Sequence, residues 1–210
     1  MAGNSIAKSR RQVRLSRALG LALTPKAQKH FDRRPYAPGE HGRNVRGKDS
    51  DYKIRLKEKQ RLRAQYALRE KQLRSIYDYA KRRPGLTGEV MIEFLETRLD
   101  ALVLRAGFAR TIYQARQVVT HGHLLVDGQK VDIPSYQVKP GQTVQVKPTS
   151  QGKANFYVAA QGSHRDVLPD VPEYLDVELT KLSFKLTREP KRAEIPVTCN
   201  ENYVVEYYAR

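Results

Sequence analysis

Residues 98–136, RLDALVLRAGFARTIYQARQVVTHGHLLVDGQKVDIPSY, leave this chain few folds to choose from. Met91, Leu95, Leu99, Leu102 and Ala106 recur at helical spacing and predict one buried stripe, with Glu93, Glu96 and Asp100 lying off it. Glu93 and Glu96 are expected as ordinary solvated charges, and Asp100, close behind Arg98, as an ion-pair or capping residue. Gly107 follows the last periodic residue, where a left-handed C-cap is expected. Thr111 then offers an N-cap, and Gln114 three residues on completes a capping-box pattern. The next helix buries Ala115, Val118 and Val119 and turns Arg116, Gln117 and His121 outwards. After Gly122, the run Leu124 to Val131 predicts a hairpin, because Asp127-Gly128 suits a type I′ turn. Pro140-Gly141 marks another turn before a strand over Thr143 to Lys147. Two short helices running into a small sheet make a mixed α+β platform with a basic helix face.

Charge narrows the partner. The chain carries 39 Lys and Arg against 22 Asp and Glu, a net charge of +17. Residues 1–83 hold 24 of the cations and 7 of the acids, whereas the remainder holds 15 of each. All the excess positive charge therefore sits in the first part of the chain. Such asymmetry points to a polyanion, either nucleic acid or an anionic membrane surface. The near-neutral stretch 84–210 is long enough to bury a core of its own. No apolar run approaches membrane-spanning length, and the N-terminal residues lack the apolar centre of a signal peptide. The basic helices also lack the wide apolar face, with Trp or Phe, that a membrane-surface helix needs. The lone Cys199 excludes an internal disulfide framework and fits the cytosol.

Residues 1–50 are rich in Arg, Lys and Gly with little hydrophobic periodicity, and Pro35 to Gly39 forbid a regular helix there. On residues alone this arm is either a solvated tail or a phosphate clamp built from Arg33, Arg34, Arg43, Arg46 and Lys48, with Tyr36 free to stack. Helix 51–66 carries two ladders at four-residue spacing: Lys53, Lys57 and Arg61, and Arg55, Lys59 and Arg63. Only Glu58 and Glu70 lie close by in sequence, so these cations are expected to await an outside counter-charge. The following helix, 69–83, shows a seam at Leu73, Ile76, Tyr77 and Ala80 and ends before Pro84-Gly85.

The segments RLDALVLRAGFART, ARQVV, HGHLLVDG and VDIPSYQVKPGQ resemble the RNA-binding module of the family of the fourth protein of the bacterial small ribosomal subunit. RRPYAPGEHGR at 33–43 resembles that family's N-terminal arm, and DYKIRLKEKQRLRAQY at 51–66 its first long basic helix. NYVVEYYAR at 202–210 resembles its C-terminal strand. The resemblance covers nearly the whole chain in order and spacing. It implies an extended basic arm over 1–50, a helical lobe over 51–97, an RNA-binding module of two helices plus a small β-sheet over 98–160, and a C-terminal segment, 161–210, that folds back to complete the lobe. It further implies binding to the 5′ domain of small-subunit rRNA as a primary binder that nucleates assembly of the subunit body. Contact with the fifth small-subunit protein, an effect on translational accuracy, and an arm near the point where mRNA enters are implied too. Arg43, Arg46 and Lys48 are the mRNA candidates.

The residues expected to touch RNA are thus Arg33, Arg34, Tyr36, His41, Arg43, Arg46 and Lys48 in the arm; Lys53, Lys57 and Arg61 on the first long helix; and Arg98, Arg110, Arg116, Gln117, His121, His123 and Lys130 in the module. Arginine forks two hydrogen bonds to phosphate, and A-form RNA is read chiefly through its backbone shape. Many relatives are basic or polar where this chain has Ile112 and Tyr113, so its second helix departs from the family's footprint there. Zinc, which some relatives bind through four arm cysteines, has no such ligands here, since no Cys precedes Cys199. No phosphate loop, nucleophile elbow or metalloprotease helix is present in the sequence, and no cofactor or small-molecule substrate is expected. Pseudouridine synthases and tyrosyl-tRNA synthetases carry a similar module, but beside a catalytic domain for which these flanks show no match.

Overall fold

The computed structural model describes residues 2–44, 48–164, 166 and 168–209, with side chains from residue 11 onwards. In chain order the helices are α1 (Ala2–Leu19), α2 (Pro25–Arg33), α3 (Asp51–Gln65), α4 (Glu70–Ala80), α5 (Thr87–Glu96), α6 (Leu99–Arg105) and α7 (Ile112–Thr120). Strands β1 (Leu124–Val126), β2 (Gln129–Lys130) and β3 (Thr143–Val146) come next, then α8 (Pro148–Gln151) and α9 (Ala154–Ala160). Strands β4 (Leu175–Glu178) and β5 (Ser183–Leu186) and helix α10 (Glu201–Tyr208) finish the fold, which is α+β. The chain packs as two units: one gathers residues up to Leu68 together with those from Thr198, and the other runs from Arg69 to Val197. This division differs from the four segments read in the sequence. Residues 69–97 pack with the module, and of the C-terminal segment only the part from Thr198 joins the first long helix.

In the first unit the arm is helical over most of its length, contrary to the expectation of an extended tail. Thr24 caps α2 by accepting the Ala27 amide at 3.2 Å, with Pro25 at the first helical position. Leu19 and Ala27 are buried where α1 and α2 pack, and the buried Ser16 hydroxyl accepts the Leu23 amide at 3.2 Å. Few apolar residues suffice, which is why no periodicity was visible.

Of the segment NYVVEYYAR, expected as a strand, residues 202–208 lie in α10. Asn200 caps it by accepting the Asn202 amide at 3.1 Å, and Val204 and Tyr208, one turn apart, are buried against α3. Valine and tyrosine favour strands, but burial of an i, i+4 pair on a neighbouring helix outweighs that preference. Side chains of α3 fasten the start of α10: Gln65 brackets the Thr198 peptide at 3.0 and 3.1 Å, and Glu58 accepts the Asn200 amide at 3.0 Å. The Lys59 ammonium lies over the Tyr207 ring, 4.3 Å from its centroid.

In the second unit the predicted stripe is entirely buried but belongs to two helices. The chain breaks at Arg98, which is extended (φ −64°, ψ 141°) and bridges to Gln137. Gly107 takes the left-handed conformation (φ +81°) that ends α6, as the sequence predicts. The α4 seam of Leu73, Ile76, Tyr77 and Ala80 is buried as read. Asp127 and Gly128 both have positive φ, as a type I′ hairpin requires. The sheet is antiparallel throughout, in the order β2-β1-β3-β5-β4. Val126 faces Val144 and Val144 faces Phe184 across the strands, so one continuous buried face runs from the hairpin into β5. Phe184 meets Phe108 edge-on at 5.5 Å, carrying that core to the end of α6.

Candidate nucleic-acid interface

Two buried carboxylates fix the helices that present the interface. Arg98 donates to both oxygens of Asp100 at 2.9 Å, and Arg116 on α7 donates to the same Asp100 Oδ2 at 2.7 and 3.1 Å. The pairing of Asp100 was legible from its spacing to Arg98. Arg98, expected at the RNA, is instead turned inward: its side chain is 5% exposed and held by Asp100. Arg116, 29% exposed at its side chain, keeps an outer edge but is held by Asp100. Glu96, expected on a solvated surface, is likewise fully buried, accepting from Arg105 and from the Tyr174 hydroxyl at 2.8 Å. Charge this deep survives only when paired and hydrogen-bonded, and these acids supply the pairing. Burial, reinforced by the Glu96 charge and opposed by Arg105, pushes the Tyr174 hydroxyl well above the ordinary tyrosine range.

Helix α7 therefore stands at a fixed angle, and its cap reinforces it. Thr111 accepts the Gln114 amide at 3.2 Å, while the Gln114 side chain accepts the Arg110 amide at 2.9 Å, one residue earlier than a capping box would place it. Ile112 is buried, which accounts for the departure from the family's polar residue.

Along its outward side α7 brings Gln114, Gln117, Val118 and His121 to a small pocket of about 50 Å³, which His123, Lys153, Asn155 and Phe156 complete. No carboxylate lines it. Its polar groups are amides, imidazoles and an ammonium, a set suited to an anion. His123 Nε2 lies 3.4 Å from the Lys153 ammonium, and its Nδ1 lies 3.0 Å from the buried Ser150 hydroxyl. An ammonium only donates, so Nε2 accepts and the proton of the neutral ring sits on Nδ1, donating to Ser150. Burial, then the neighbouring Lys153 and His121, holds the His123 pKa below the usual histidine value. The His121 and Phe156 rings meet His123 edge-on at 5.9 and 5.7 Å. Gly122, between the two histidines, takes the left-handed conformation (φ +67°) that favours glycine, and the end of the Lys130 side chain crosses close over it. Lys130 thereby extends the basic rim, with only a loose 3.7 Å contact to Asp132.

The remaining expected residues divide sharply. Arg110 is exposed at the head of α7. Arg33, Arg34, His41, Arg43 and Lys48 are exposed in the first unit, while Arg46 lies outside the described residues. Tyr36 is half-buried, with the Arg17 guanidinium 4.9 Å from its ring centroid, so one face is already covered. Lys53 and Lys57 both pair with Asp49, the former at 2.7 Å, and Arg61 pairs with Glu58 and donates to the Leu19 carbonyl at 2.8 Å. The ladders are thus neutralised largely from within. Besides Glu58, their partners include Asp49, before the helix, and Glu206, which pairs with Arg55 from the far end of the chain. Sequence reasoning also missed Arg17, which pins the arm by donating to the carbonyls of Arg34, Tyr36 and Ala37. Lys153 and Asn155 escaped it as well, being some thirty residues downstream of the histidines they join.

Among the described residues no helix is long and apolar enough to cross a membrane, and no group of three His, Cys, Asp or Glu side chains could hold a metal ion. Two helices fixed over a small antiparallel sheet, with a basic and acid-free pocket on the outer helix, define an RNA-binding module of the S4-domain class; residues 97–144 match the S4 domain. Residues 8–96 match the ribosomal protein S4/S9 N-terminal domain. The chain is 65% identical over 207 residues to small ribosomal subunit protein uS4 of Beutenbergia cavernae, covering 99% of this chain and all of that one. It is 66% identical over 203 residues to the protein of the same name from Bifidobacterium animalis subsp. lactis (97% and 98% covered), and 61% identical to that of Micrococcus luteus over the full length of both. The chain belongs to the uS4 family of small ribosomal subunit proteins. As a member it is a structural, rRNA-binding ribosomal protein of the bacterial cytoplasm.

Proposed function

We propose that this chain is a primary binder of the 5′ domain of small-subunit rRNA, recognising a folded junction by its backbone and nucleating assembly of the subunit body. The acid-free pocket between α7 and α9 carries this reading. Its donors are fixed before RNA arrives, because Asp100 holds α7 through Arg116. A preset array of donors selects an RNA that already presents phosphates at matching positions, which is shape recognition. Arg110 and Lys130 flank the pocket's helix and hairpin as exposed cations. Exposed Arg43 and Lys48, with Arg46, are assigned to mRNA where it enters, and contact with the fifth small-subunit protein and an effect on translational accuracy belong to the same proposal.

The test is binding of the purified protein to the 5′-domain rRNA across a salt series, with an unrelated structured RNA of equal length as competitor. Preference for the rRNA that persists at about 200 mM salt, where charge-driven binding has fallen steeply, supports the proposal. Equal binding to both RNAs overturns the primary-binder role. For the mRNA assignment, Arg43→Glu with Arg46→Glu impairs translation of structured messages more than subunit assembly; wild-type behaviour in both assays removes it.

A further inference from the structure

A second groove in the same unit lies well away in sequence from the module's pocket. Ser75, Asp78, Tyr79, Arg82 and Arg83, on the last turns of α4 and just beyond, line an open space of about 390 Å³. The Arg83 guanidinium lies over the Tyr79 ring, 4.8 Å from its centroid. Tyr79 is itself packed against Phe94 of α5, with centroids 4.4 Å apart. Arg83 is thus a flat, exposed cation held from beneath by the Tyr79 ring, which Phe94 in turn supports. Lys81, Arg82 and Arg83 are all exposed, and among the described residues none of the three has a carboxylate in ion-pair range. Cations after a helix C-terminus complement its dipole, but that effect falls off within one turn and asks for no aromatic support.

We infer that this groove is a separate RNA subsite that takes one unpaired guanine, its ring stacked on Arg83 and its Watson–Crick edge on Asp78. Unpaired bases stack on aromatic rings and on guanidinium planes alike. Asp78, the one carboxylate of the groove, is acceptor-only when ionised and matches a base edge with adjacent N–H donors. Guanine offers N1–H beside its amino group, whereas adenine presents an acceptor at N1. Lys81 and Arg82 then meet the phosphates on either side. The inference takes its ligand class from the RNA-binding reading but uses none of the same side chains.

The experiment uses an octaribonucleotide of adenosines with one central 6-thioguanosine, photocrosslinked to the full chain and mapped by mass spectrometry. A guanosine and an all-adenosine version are compared by fluorescence anisotropy. Crosslinks within residues 75–83 are expected, with Arg83→Ala weakening the guanosine oligonucleotide by about tenfold. Asp78→Asn abolishes the preference for guanosine, bringing the guanosine and all-adenosine oligonucleotides to equal affinity. Both side chains being at the surface, melting curves verify that the variants fold. Repeating the crosslink with 5′-domain rRNA already bound separates the sources: blockage assigns the base to rRNA, and persistence assigns it to a passing strand such as mRNA. Crosslinks confined to other regions, with no guanosine preference, overturn the inference. If the protein still binds the rRNA, only this subsite fails; if it binds neither RNA, the RNA-binding reading fails with it.

Discussion

Asp100 receives both arms of the Arg98 guanidinium at 2.9 Å while its Oδ2 also accepts Arg116, so one buried carboxylate joins the break between α5 and α6 to helix α7. Replacing Asp100 by Asn keeps the shape and removes the charge, leaving Arg98 buried and uncompensated. The expected cost is about 3–5 kcal/mol in urea unfolding, whereas Arg116→Ala, which leaves the inner pair intact, costs less. Equal losses in the two variants would sink the idea that the Arg98 pair is the inner support.

Tyr174 gives a prediction at alkaline pH. An ordinary tyrosine ionises near pH 10, but burial and the adjacent Glu96 keep this hydroxyl protonated beyond that. The unfolded chain releases a proton there that the folded chain keeps, so stability falls as pH rises through about 10. Tyr174→Phe removes this contribution to the pH slope and, by taking a hydrogen bond from a charged acceptor, costs about 1.5–3 kcal/mol near neutrality. An unchanged alkaline slope in the variant would contradict the assignment.

His123 couples protons to RNA with the opposite sense. Its depressed pKa means the unfolded chain binds more protons just below the usual histidine pKa, so the free protein loses stability as pH falls through that window. An RNA phosphate in the pocket reverses the balance by favouring the imidazolium. Affinity for the rRNA therefore rises as pH is lowered from about 8 to about 5.5, and His123→Gln flattens that rise. Identical pH profiles for wild type and variant would remove His123 from the interface.

Asp49 acts as an internal competitor for RNA. Hydrogen bonds from Lys53 and then Lys57 hold its carboxyl pKa at about 2, so the pairing is present at working pH and fades only as acid approaches that value. Asp49→Asn frees both ammonium groups. Binding to rRNA strengthens at low salt, and the salt slope steepens by about one to two, at roughly 0.7–0.9 per added phosphate contact. A slope identical to wild type would show that these lysines never reach the RNA.

What the sequence revealed was local chemistry. Gly107, Thr111 and the Asp127-Gly128 turn act over a few residues, and the structure places each as read. The core stripe was equally plain, although its break at Arg98 was hidden because the backbone there is held by Tyr136 and Gln137 from a distant loop. Long-range partners explain the other errors. Lys53, Lys57 and Arg55 looked unpaired because Asp49 and Glu206 lie outside their helix, and α10 looked extended because its packing surface on α3 is supplied from far up the chain. Of the expected interface residues, Gln117, His121 and His123 share one pocket and Lys130 lies beside Gly122, while Lys153 had no sequence signal to mark it.

The pairing of α3 with α10 also imposes a timetable on synthesis. Lys59 needs Tyr207, and Glu58 needs the Asn200 amide, yet residues 69–197 leave the exit tunnel in between. Every residue of the module-bearing unit is therefore added before α3 receives its partner, and until then that flank of α3 stays uncovered. A purified chain truncated after Val197 will show a protease-resistant 69–197 fragment and a cleavable α3, and restoring the residues from Thr198 will protect α3. The beginning of this protein is finished by its end.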